Sequence, residues 1–518
     1  MIKLNLKQSI FSGALIIGCA SLISRILGLV RDRLFAHQFG ASQTLDAYYA
    51  AFRIPDLIFN LLVLGALSSA FVPVFIYYLN KNKSDAWRIV NSILNLTSLA
   101  LVFVCVLLFI FIPRLIFLVA PGFSAELNDL TLQLTRVMLI SPIFFGISNV
   151  FSGVLNSFKR FLAYAFAPVF YNIGIILGAV FLVPDHGVYG LAGGVVLGSF
   201  LHLLIQLPAF LRTGFKYRPI INLSHPGVRK IGRLMLPRTM GLAMTQVNLW
   251  VVTVIASLES AGSISIFNFA NNLQSLPVGV FGVALSISCF PYLAEAFSQN
   301  DKVKFRDHFS DTFNKILFFV IPASMLILVE RAQVVRLVLG TGKFDWQDTY
   351  LTAQSLGFFA IGIFAQALIP LVARAFYAVH DTKTPVIISI ASVLINIGAS
   401  LILVRSLGVM GLALSFSIAA FFNILLLLVM LRWKIGNLND RAIVFSSFKI
   451  VLLSVVMAGV SYLILQVMSY QVDMRTGWGI FAQAGVAALV GVIVYIGLAQ
   501  LFRLKEIEGI KKVLGMRR

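Results

Sequence analysis

Apolar stretches recur along the whole of this 518-residue chain, and each is long enough, at about 20 residues, to cross roughly 30 Å of hydrocarbon as a helix. A backbone inside a bilayer must satisfy its own hydrogen bonds, so such stretches fold as α-helices. We count about 14 of them by hydropathy. They are centred near Ile17, Leu62, Leu101, Leu139, Ile173, Val195, Ala243, Val283, Phe319, Phe364, Ile390, Ala419, Val455 and Val490. The sequence therefore predicts an all-α polytopic membrane protein.

The composition excludes a large hydrated domain. Charged residues make up 12% of the chain and hydrophobic residues 59%, with a mean hydropathy of +0.93, whereas soluble domains carry about 25% charged residues. Cys19, Cys105 and Cys289 all lie inside apolar runs, which is typical of core residues and not of disulfide partners or metal ligands. A cytosolic enzyme and a disulfide-stabilised secreted module are both excluded.

Basic residues outnumber acidic residues by 41 to 20. If both termini lie in the cytoplasm, roughly 28 Lys and Arg residues fall in cytoplasmic loops and about 9 fall outside, which is the bias of the positive-inside rule. An even number of spans follows from this orientation. The net charge of +21 is therefore expected of a multi-pass membrane protein, and it predicts no nucleic-acid partner.

Three short motifs recur in the same order at an offset of about 220 residues, which is typical of a duplicated unit. The pairs are Ala66-Leu67-Ser68 with Ala284-Leu285-Ser286, Asn172-Ile173-Gly174 with Asn396-Ile397-Gly398, and Gly187-Val188 with Gly408-Val409. Each copy covers six helices. Because six is even, the two lobes have the same orientation and are related by an axis along the membrane normal.

The repeat predicts four regions. These are an N-terminal six-helix lobe at residues 1–220, a C-terminal six-helix lobe at 221–440, two additional transmembrane helices at 441–503 and a basic cytoplasmic tail at 504–518. The last helix carries Ala484, Ala488 and Gly491, small residues that permit close packing against a neighbouring helix.

Several charged side chains lie inside the predicted spans, where each costs roughly 2.5–3.5 kcal/mol without a partner, a wet cavity or a ligand. They are Arg25, Arg31, Asp46, Arg53, Arg238 and Arg374. Each arginine has an alternative as a snorkelling side chain or an ion-pair member, for example Arg53 with Asp46 or Asp56, or Arg31 with Asp32. Several embedded arginines with few acids favour a cavity for an anion, and guanidinium matches phosphate oxygens in bidentate geometry.

Matched polar residues and prolines mark the second and eighth spans. Asp46, Arg53 and Asn60 are seven residues apart on the second span and are expected on one stripe. The eighth span carries Asn268, Asn271, Asn272 and Ser275 at helical spacing, with Ser265 as a further candidate. Both spans are interrupted by prolines, Pro55 and Pro73 in one and Pro277 and Pro291 in the other. Matched interruptions in two repeats indicate a transporter's binding site, and a bend at Gly28 would turn Arg25 and Arg31 toward it.

No motif for catalysis or ATP hydrolysis is recognisable. The segment Gly340-Thr341-Gly342-Lys343-Phe344 has the wrong glycine spacing for a phosphate loop, and Phe344 stands where Ser or Thr would hold magnesium. It is expected to be an external turn. No zinc or nucleophile motif occurs, so we expect a protein that is not an enzyme, has no cofactor or metal, and is driven by an ion gradient or the membrane potential.

Five stretches of the sequence resemble the MurJ (MviN) lipid II flippases of the multidrug/oligosaccharidyl-lipid/polysaccharide exporter superfamily. They are Ser24-Arg25-Ile26-Leu27-Gly28-Leu29-Val30-Arg31-Asp32, Phe39-Gly40-Ala41 with Asp46-Ala47, Gly279-Val280-Phe281-Gly282-Val283-Ala284-Leu285, Gly342-Lys343-Phe344, and Phe376-Tyr377-Ala378 with Asp381-Thr382-Lys383-Thr384-Pro385. The resemblance implies two six-helix lobes that alternate their opening, with a groove for a polyprenyl tail along the last two helices. The implied cargo is the undecaprenyl-pyrophosphate-linked peptidoglycan precursor, and the implied location is the bacterial inner membrane.

The resemblance assigns binding roles to Ser24, Arg25, Arg31 and Asp46. It also indicates structural or gating roles for Asp381 and Lys383, which join Gly28 and the four prolines in that class. The chain departs from the family where it has Phe59 and Asn272 instead of arginines and Leu64 instead of a glutamate. We expect Arg53 and Arg374 to compensate for the two missing cations.

Other functions remain open at this point. They are a flippase for another polyprenyl-linked oligosaccharide, a small-molecule exporter of the same superfamily, and a scaffold that recruits partners through its basic loops and tail. A cavity for cations would need embedded Asp or Glu, which are scarce here. The expected partners are a lipid-linked glycan, membrane lipids and peptidoglycan-synthesis proteins.

Overall fold

The computed structural model describes residues 10–64 and 71–507, and within them all regular secondary structure is helical. In the N-terminal half the helices are α1 (Ile10–Phe39), α2 (Gln43–Ala51), α3 (Arg53–Ile58), α4 (Phe71–Lys81), α5 (Lys83–Leu115), α6 (Ala125–Met138), α7 (Ser141–Ser157), α8 (Phe161–Leu177), α9 (Val183–His186), α10 (Val188–Leu204), α11 (Leu207–Leu211) and α12 (Pro226–Ser257). They continue as α13 (Ser263–Pro277), α14 (Ala284–Ser298), α15 (Lys302–Val329), α16 (Arg331–Val338), α17 (Trp346–Ala378), α18 (Lys383–Leu407), α19 (Val409–Ile435), α20 (Asp440–Ser469) and α21 (Gly477–Leu501). The all-α prediction is confirmed.

Eleven helices among the described residues are long and apolar enough to cross a membrane. The first, second and seventh predicted spans are not among them. Each of these three spans includes residues whose side chains lie outside the described part of the chain, and in the seventh the described stretch Gln246–Ser257 is apolar. The count of 14 therefore stays a prediction.

Matched backbone features support the internal repeat. Matched π-helical segments occupy Phe59–Leu64 and Val278–Val283, which begin 219 residues apart, whereas a further π segment at Gly178–Leu182 has no such match among the described residues. Gly187 and Gly408, 221 residues apart, have nearly the same backbone angles, φ 57° and ψ −139° against φ 56° and ψ −139°. The first pair of motifs from the sequence cannot be compared, since Ala66-Leu67-Ser68 lies outside the described residues.

The prolines lie where the second and eighth spans depart from α geometry. Pro55 lies in the short helix α3, just before the first π segment, and Pro277 ends α13 directly before the second. Pro73 lies near the start of α4 and Pro291 lies inside α14. Single-turn π segments are rare and occur mostly at functional sites, so the matched pair indicates where the two repeats carry special geometry.

The chain forms two compact units, residues Met1–Ser265 and Ile266–Arg518. Helix α12 belongs to the first unit, where it packs against α3, the π segment at 59–64, α4 and α5. The predicted lobe boundary near residue 220 stays a prediction. The two compact units are defined by which residues contact one another, whereas the two lobes are defined by the repeated motifs in the sequence.

In the second unit, the polar and lysine-containing stretch that leads into the ninth span is helical. Helix α15 begins at Lys302 and runs without interruption to Val329. Phe305, Phe309 and Phe313 are buried in the core of this unit, so the segment is an amphipathic extension of the span and not a loop.

Helices α20 and α21 pack against each other and against α15. A side chain at Gly491 would meet the hydroxyl of Ser461 on α20, and the Ser461 Oγ donates a hydrogen bond to the Ala487 carbonyl oxygen at 3.1 Å. The predicted close approach through small residues is confirmed at Ala484, which is buried, and at Gly491.

Candidate functional site

The predicted residues of α1 are joined to α8 through Asn172. The Asn172 Nδ2 donates to the Ser24 Oγ at 3.1 Å and to the Ser24 carbonyl oxygen at 3.2 Å. Its Oδ1 accepts a bond of 3.4 Å from Arg31 Nη1. The structure therefore brings Ser24 and Arg31 together, with Asn172 as the bridge. Sequence reasoning used Asn172 only as a marker of the repeat and missed this role.

Arg31 forms an ion pair with its neighbour Asp32. Its Nη2 lies 2.9 Å from Asp32 Oδ1, and its Nε donates to the same oxygen at 3.1 Å. The side chain of Asp32 is 3% exposed and that of Arg31 is 21% exposed. The ion pair that the sequence left open is thus present. The arginine nevertheless keeps an accessible edge, which a bidentate anion requires.

Arg25 is half-buried on α1, which continues as a regular helix through Gly28. Within the described part of the chain, no heavy atom lies within 4 Å of the position that a Cβ at Gly28 would take. Close packing therefore does not demand a glycine here, and the bend at Gly28 stays a prediction.

Asp46 on α2 caps the start of α13. Its carboxylate accepts three hydrogen bonds of 2.7 Å each, from the Gly262 N–H, the Ser265 N–H and the Ser265 hydroxyl. Asp46 is 3% exposed. The first N–H groups of a helix have no partner within it, and its N-terminus carries partial positive charge. Asp46 and Ser265 are therefore brought together in the first unit, where they fix the entry of the eighth span.

We expect Asp46→Ala to leave the Gly262 and Ser265 N–H groups buried without an acceptor, which costs about 1–3 kcal/mol. Asp46→Asn keeps one acceptor oxygen and should lose less. The measurement is the apparent melting temperature of the purified protein in detergent, with Ser260→Ala as the control because Ser260 bonds only weakly, to Ser263 at 3.3 Å. An Asp46→Ala protein as stable as the control would contradict the capping role.

Arg53 contacts the seventh span. Its Nε donates a hydrogen bond of 2.7 Å to the Thr253 hydroxyl on α12, and its side chain is buried, with the residue 9% exposed. Asn60 lies in the π segment and donates from Nδ2 to the Asp56 carbonyl oxygen at 2.8 Å. The hydrogen bonds of Asp46, Arg53 and Asn60 thus go to different partners, along a span that is divided into α2, α3 and a π segment.

In the second unit the eighth span carries an amide cluster. Gln274 Nε2 donates to Asn271 Oδ1 at 3.0 Å and to Gln366 Oε1 on α17 at 3.1 Å. Asn272 accepts a bond of 2.8 Å from the Ser275 hydroxyl at its carbonyl oxygen. Sequence reasoning named Asn271 and Asn272 but missed Gln274, which follows Asn271 by three residues, and Gln366, which stands alone in an apolar stretch of α17 and gives no periodic signal.

Arg374, another of the predicted cations, bonds within its own helix. Arg374 Nη1 donates to the Pro370 carbonyl oxygen of its own helix at 3.2 Å. The side chain of Arg238 lies outside the described residues, as does the tail from residue 508. Among the described residues no group of three His, Cys, Asp or Glu side chains is placed to hold a metal ion.

Asp381 organises the turn between α17 and α18, outside the membrane-spanning segments. Its Oδ1 accepts from the backbone N–H groups of Lys383 and Thr384, and its Oδ2 accepts from the Thr384 hydroxyl and, at 2.6 Å, from Lys434 Nζ. Burial acts to raise the pKa of Asp381, but the bonds from Lys434 and Thr384 outweigh it and lower the pKa to about 2. The carboxylate stays ionised, and Lys383 contributes only its backbone to the turn.

The segment Gly340-Thr341-Gly342-Lys343-Phe344, which superficially resembles a phosphate loop, is a turn. It lies between α16 and α17, with Gly342 at φ 64°. Phe344 is buried against Phe269, with ring centroids 5.8 Å apart. The expectation of a turn is confirmed.

Comparison with known proteins identifies relatives over most of the chain. The family model described as "Lipid II flippase MurJ" matches residues 35–477. The lipid II flippase MurJ of Burkholderia cenocepacia is 33% identical over 434 residues, which is 82% of this chain and 84% of the relative. The probable lipid II flippase MurJ of Buchnera aphidicola subsp. Acyrthosiphon pisum is 32% identical over 472 residues, covering 90% of this chain and 91% of the relative.

Solved structures agree with these relatives. A structure of lipid II flippase MurJ in an inward closed conformation superposes with a TM-score of 0.80 at 28% identity, over 95% of this chain and all of the other. An inward-facing multidrug transporter of the MATE family and MOP superfamily superposes with a TM-score of 0.69 at 15% identity, over 82% of this chain and 99% of the other. The second likeness shows the fold alone.

Proposed function

The chain belongs to the MurJ family of lipid II flippases, and we propose that it moves lipid II, the undecaprenyl-pyrophosphate-linked peptidoglycan precursor, from the inner to the outer leaflet of the bacterial cytoplasmic membrane. The observation that carries this proposal is the match of residues 35–477 to the family. It is supported by relatives at 32–33% identity that cover more than four fifths of the chain. The description of these relatives as lipid II flippases favours lipid II over a small-molecule drug as the cargo.

In this proposal the pyrophosphate of the cargo binds at the first helix. Arg25 and Arg31 lie six residues apart on α1, and the fixed fork of a guanidinium matches two phosphate oxygens. Asn172 holds Arg31 through its Oδ1 and holds Ser24 through its Nδ2, so the arginine is positioned before the anion arrives. Preorganised donors lose less entropy on binding.

The binding test compares lipid II with other polyprenyl-linked glycans on purified protein. We expect lipid II to bind more tightly than a polyprenyl-pyrophosphate that carries a different glycan, and both to bind more tightly than an uncharged polyprenol, because each lost charge-assisted contact weakens binding. Equal binding of all three lipids would overturn the assignment of cargo, and a preference for another glycan would replace lipid II with that glycan.

The orientation is also a proposal. Both termini are placed in the cytoplasm, because the loops at that end then receive most of the basic residues. Cysteine labelling in intact cells tests it. A cysteine introduced between α20 and α21, near Arg475, should react with an impermeant reagent, and one between α19 and α20, near Asn437, should not. The reverse pattern would refute the orientation.

We expect transport to depend on an ion gradient or the membrane potential and not on ATP. Cationic groups that move in the field gain about 2.3 kcal/mol per charge per 100 mV, and the sequence has no nucleotide-binding motif. Flipping is measured in energised vesicles without nucleotide, then with an ionophore, and then with ATP alone. Flipping that requires ATP and ignores the ionophore would contradict this expectation.

A further inference from the structure

A second polar cluster lies in the first unit, around His202 on α10. The His202 Nδ1 lies 2.7 Å from the Ser148 hydroxyl oxygen on α7. Gln206 Nε2 donates to the same hydroxyl oxygen at 2.6 Å, and its Oε1 accepts from the Ser152 hydroxyl at 2.8 Å. Ser148 and Gln206 are completely buried. None of these residues takes part in the anion site proposed on α1.

His202 lies well inside a membrane span. The apolar segment runs from Val188 to Leu211, with a turn at 205–206 between α10 and α11, so His202 is nine residues from its nearer end. An ionisable residue at such depth is a functional-site hypothesis by default. Histidine is also the side chain whose charge changes in the physiological pH range.

The hydrogen bonds around Ser148 fit both protonation states of His202. A serine hydroxyl has one donor and two acceptor positions. With a neutral ring, the Ser148 O–H donates to Nδ1. With a protonated ring, the Nδ1–H donates to Ser148, and the hydroxyl hydrogen turns to the His202 carbonyl oxygen, which lies 3.2 Å from the Ser148 Oγ. Gln206 Nε2 occupies the other acceptor position in both cases. The proton can therefore arrive or leave without breaking the network.

Among the residues that the structure describes, none provides a counter-ion beside His202 for a charged ring. Helices α7, α8 and α11 contain no Asp, Glu, Lys or Arg, and their titratable groups are the tyrosines Tyr164 and Tyr171 on α8. The other helices packed on α10 do carry titratable or charged side chains. These are Glu126, Asp129 and Arg136 on α6, Asp185 and His186 on α9, and Asp46, Tyr48 and Tyr49 on α2.

The remaining charges lie away from the ring. Helix α6 meets the start of α10, where Tyr189 donates to Gln133 Oε1 at 2.5 Å, and the carboxylate of Asp46 caps α13. The cations Arg160 and Arg212 follow α7 and α11, and Arg160 donates to the carbonyl oxygens of Ala209 and Arg212. A charged ring at this depth is costly without a partner, so this conformation holds the neutral ring.

Phe145 links the His202 ring to the interrupted second span. Its ring lies 5.2 Å from the His202 ring, 4.8 Å from the Phe59 ring and 5.1 Å from the Tyr171 ring, measured between centroids. Phe59 is the first residue of the π segment at 59–64. A change in the charge or position of the imidazole therefore has a direct packed route to the segment that departs from α geometry.

We propose that His202 is the proton-binding group of this transporter, with the Ser148 hydroxyl as the switch between its neutral and protonated states. The inference rests on the proposed function and names the proton as an ion that the transport cycle uses. At the matching position of the second copy, 221 residues later, stands Asn423 on α19, which is polar but does not titrate. The second copy therefore has no titratable side chain at this position.

The test measures the rate of lipid II flipping in proteoliposomes between about pH 5 and pH 8, the range in which imidazole titrates. We expect a severalfold change of rate with pH in the parent protein and a flat profile in His202→Gln. Ser148→Ala should shift the midpoint of the profile, since Nδ1 loses its partner. His186→Gln, which changes a histidine at the surface end of the same unit, is the matched control and should keep the parent profile.

The outcomes separate this inference from the proposed function. If the parent protein flips no lipid II at any pH, the proposed function fails. If it flips lipid II and His202→Gln keeps the parent profile, the proton site is refuted. Should His202→Gln fail to reconstitute, the imidazole is titrated in the parent protein by NMR with labelled histidine, and a ring that stays neutral from pH 5 to pH 8 in the presence of lipid II overturns the proposal.

Discussion

Replacement of Arg25 or Arg31 by alanine is expected to abolish complementation of a cell depleted of its own lipid II flippase, while the protein still reaches the membrane. Each arginine offers charge-assisted hydrogen bonds worth about 1.5–3 kcal/mol, and the loss of that energy weakens binding by roughly 10- to 150-fold. Lysine at either position should restore growth only in part, because it keeps the charge and lacks the planar fork.

The ion pair with Asp32 demands a control for Arg31. Arg31→Ala removes the ion pair from the Asp32 carboxylate, which is 3% exposed, and breaking a buried pair in this way costs about 3–5 kcal/mol. The double variant Arg31→Ala, Asp32→Asn removes that charge. If the arginine binds the anion, the double variant folds well and still fails to complement. Growth of the double variant would show that Arg31 serves only to neutralise Asp32.

Arg25 provides the independent measurement. The binding of lipid II to the purified Arg25→Ala protein should weaken, whereas the binding of an uncharged polyprenol should not change. Full growth of a strain in which both arginines are replaced would eliminate the anion site on α1.

The sequence was informative where a physical constraint repeats along the chain. Membrane spans need about 20 apolar residues each, and a duplication repeats its motifs, so the helical fold and the repeat were predictable before any coordinates. The matched glycines Gly187 and Gly408 were recognised as motifs, and the structure gives them matched backbone angles. Prolines indicated where the second and eighth spans are interrupted, but not that the interruptions are π-helical.

Partners that meet only through packing were not predictable. Asn172 is 148 residues from Ser24 and 141 residues from Arg31, and no spacing rule joins them. His202 and Ser148 are 54 residues apart on different helices, and no spacing rule joins them either. The role of Asp46 as a cap depends on where α13 begins, which hydropathy does not resolve. Individual side-chain roles therefore required the packed structure.

The largest remaining effect is expected at Arg53, which we propose takes over part of the anion contact that the family resemblance implies for arginines at the positions of Phe59 and Asn272. Arg53→Ala should then be as damaging as Arg25→Ala. The structure supplies a control, since Arg53 is held by the Thr253 hydroxyl at 2.7 Å. Thr253→Val removes that bond and keeps the charge, so it should reduce the affinity for lipid II far less than Arg53→Ala does.

A stricter test asks whether arginines restored at positions 59 and 272 suppress the growth defect of Arg53→Ala. Arginine at 59 and 272 should partly restore growth to Arg53→Ala if the pyrophosphate needs a given number of cations and not one particular residue. Phe59→Arg also removes the contact with the Phe145 ring, 4.8 Å between centroids, so it must be examined alone and shown to fold. Normal growth of Arg53→Ala would contradict the proposal. Arg53 would then have only a structural role, the hydrogen bond to Thr253 on α12, and the second span would hold no replacement for the missing arginines.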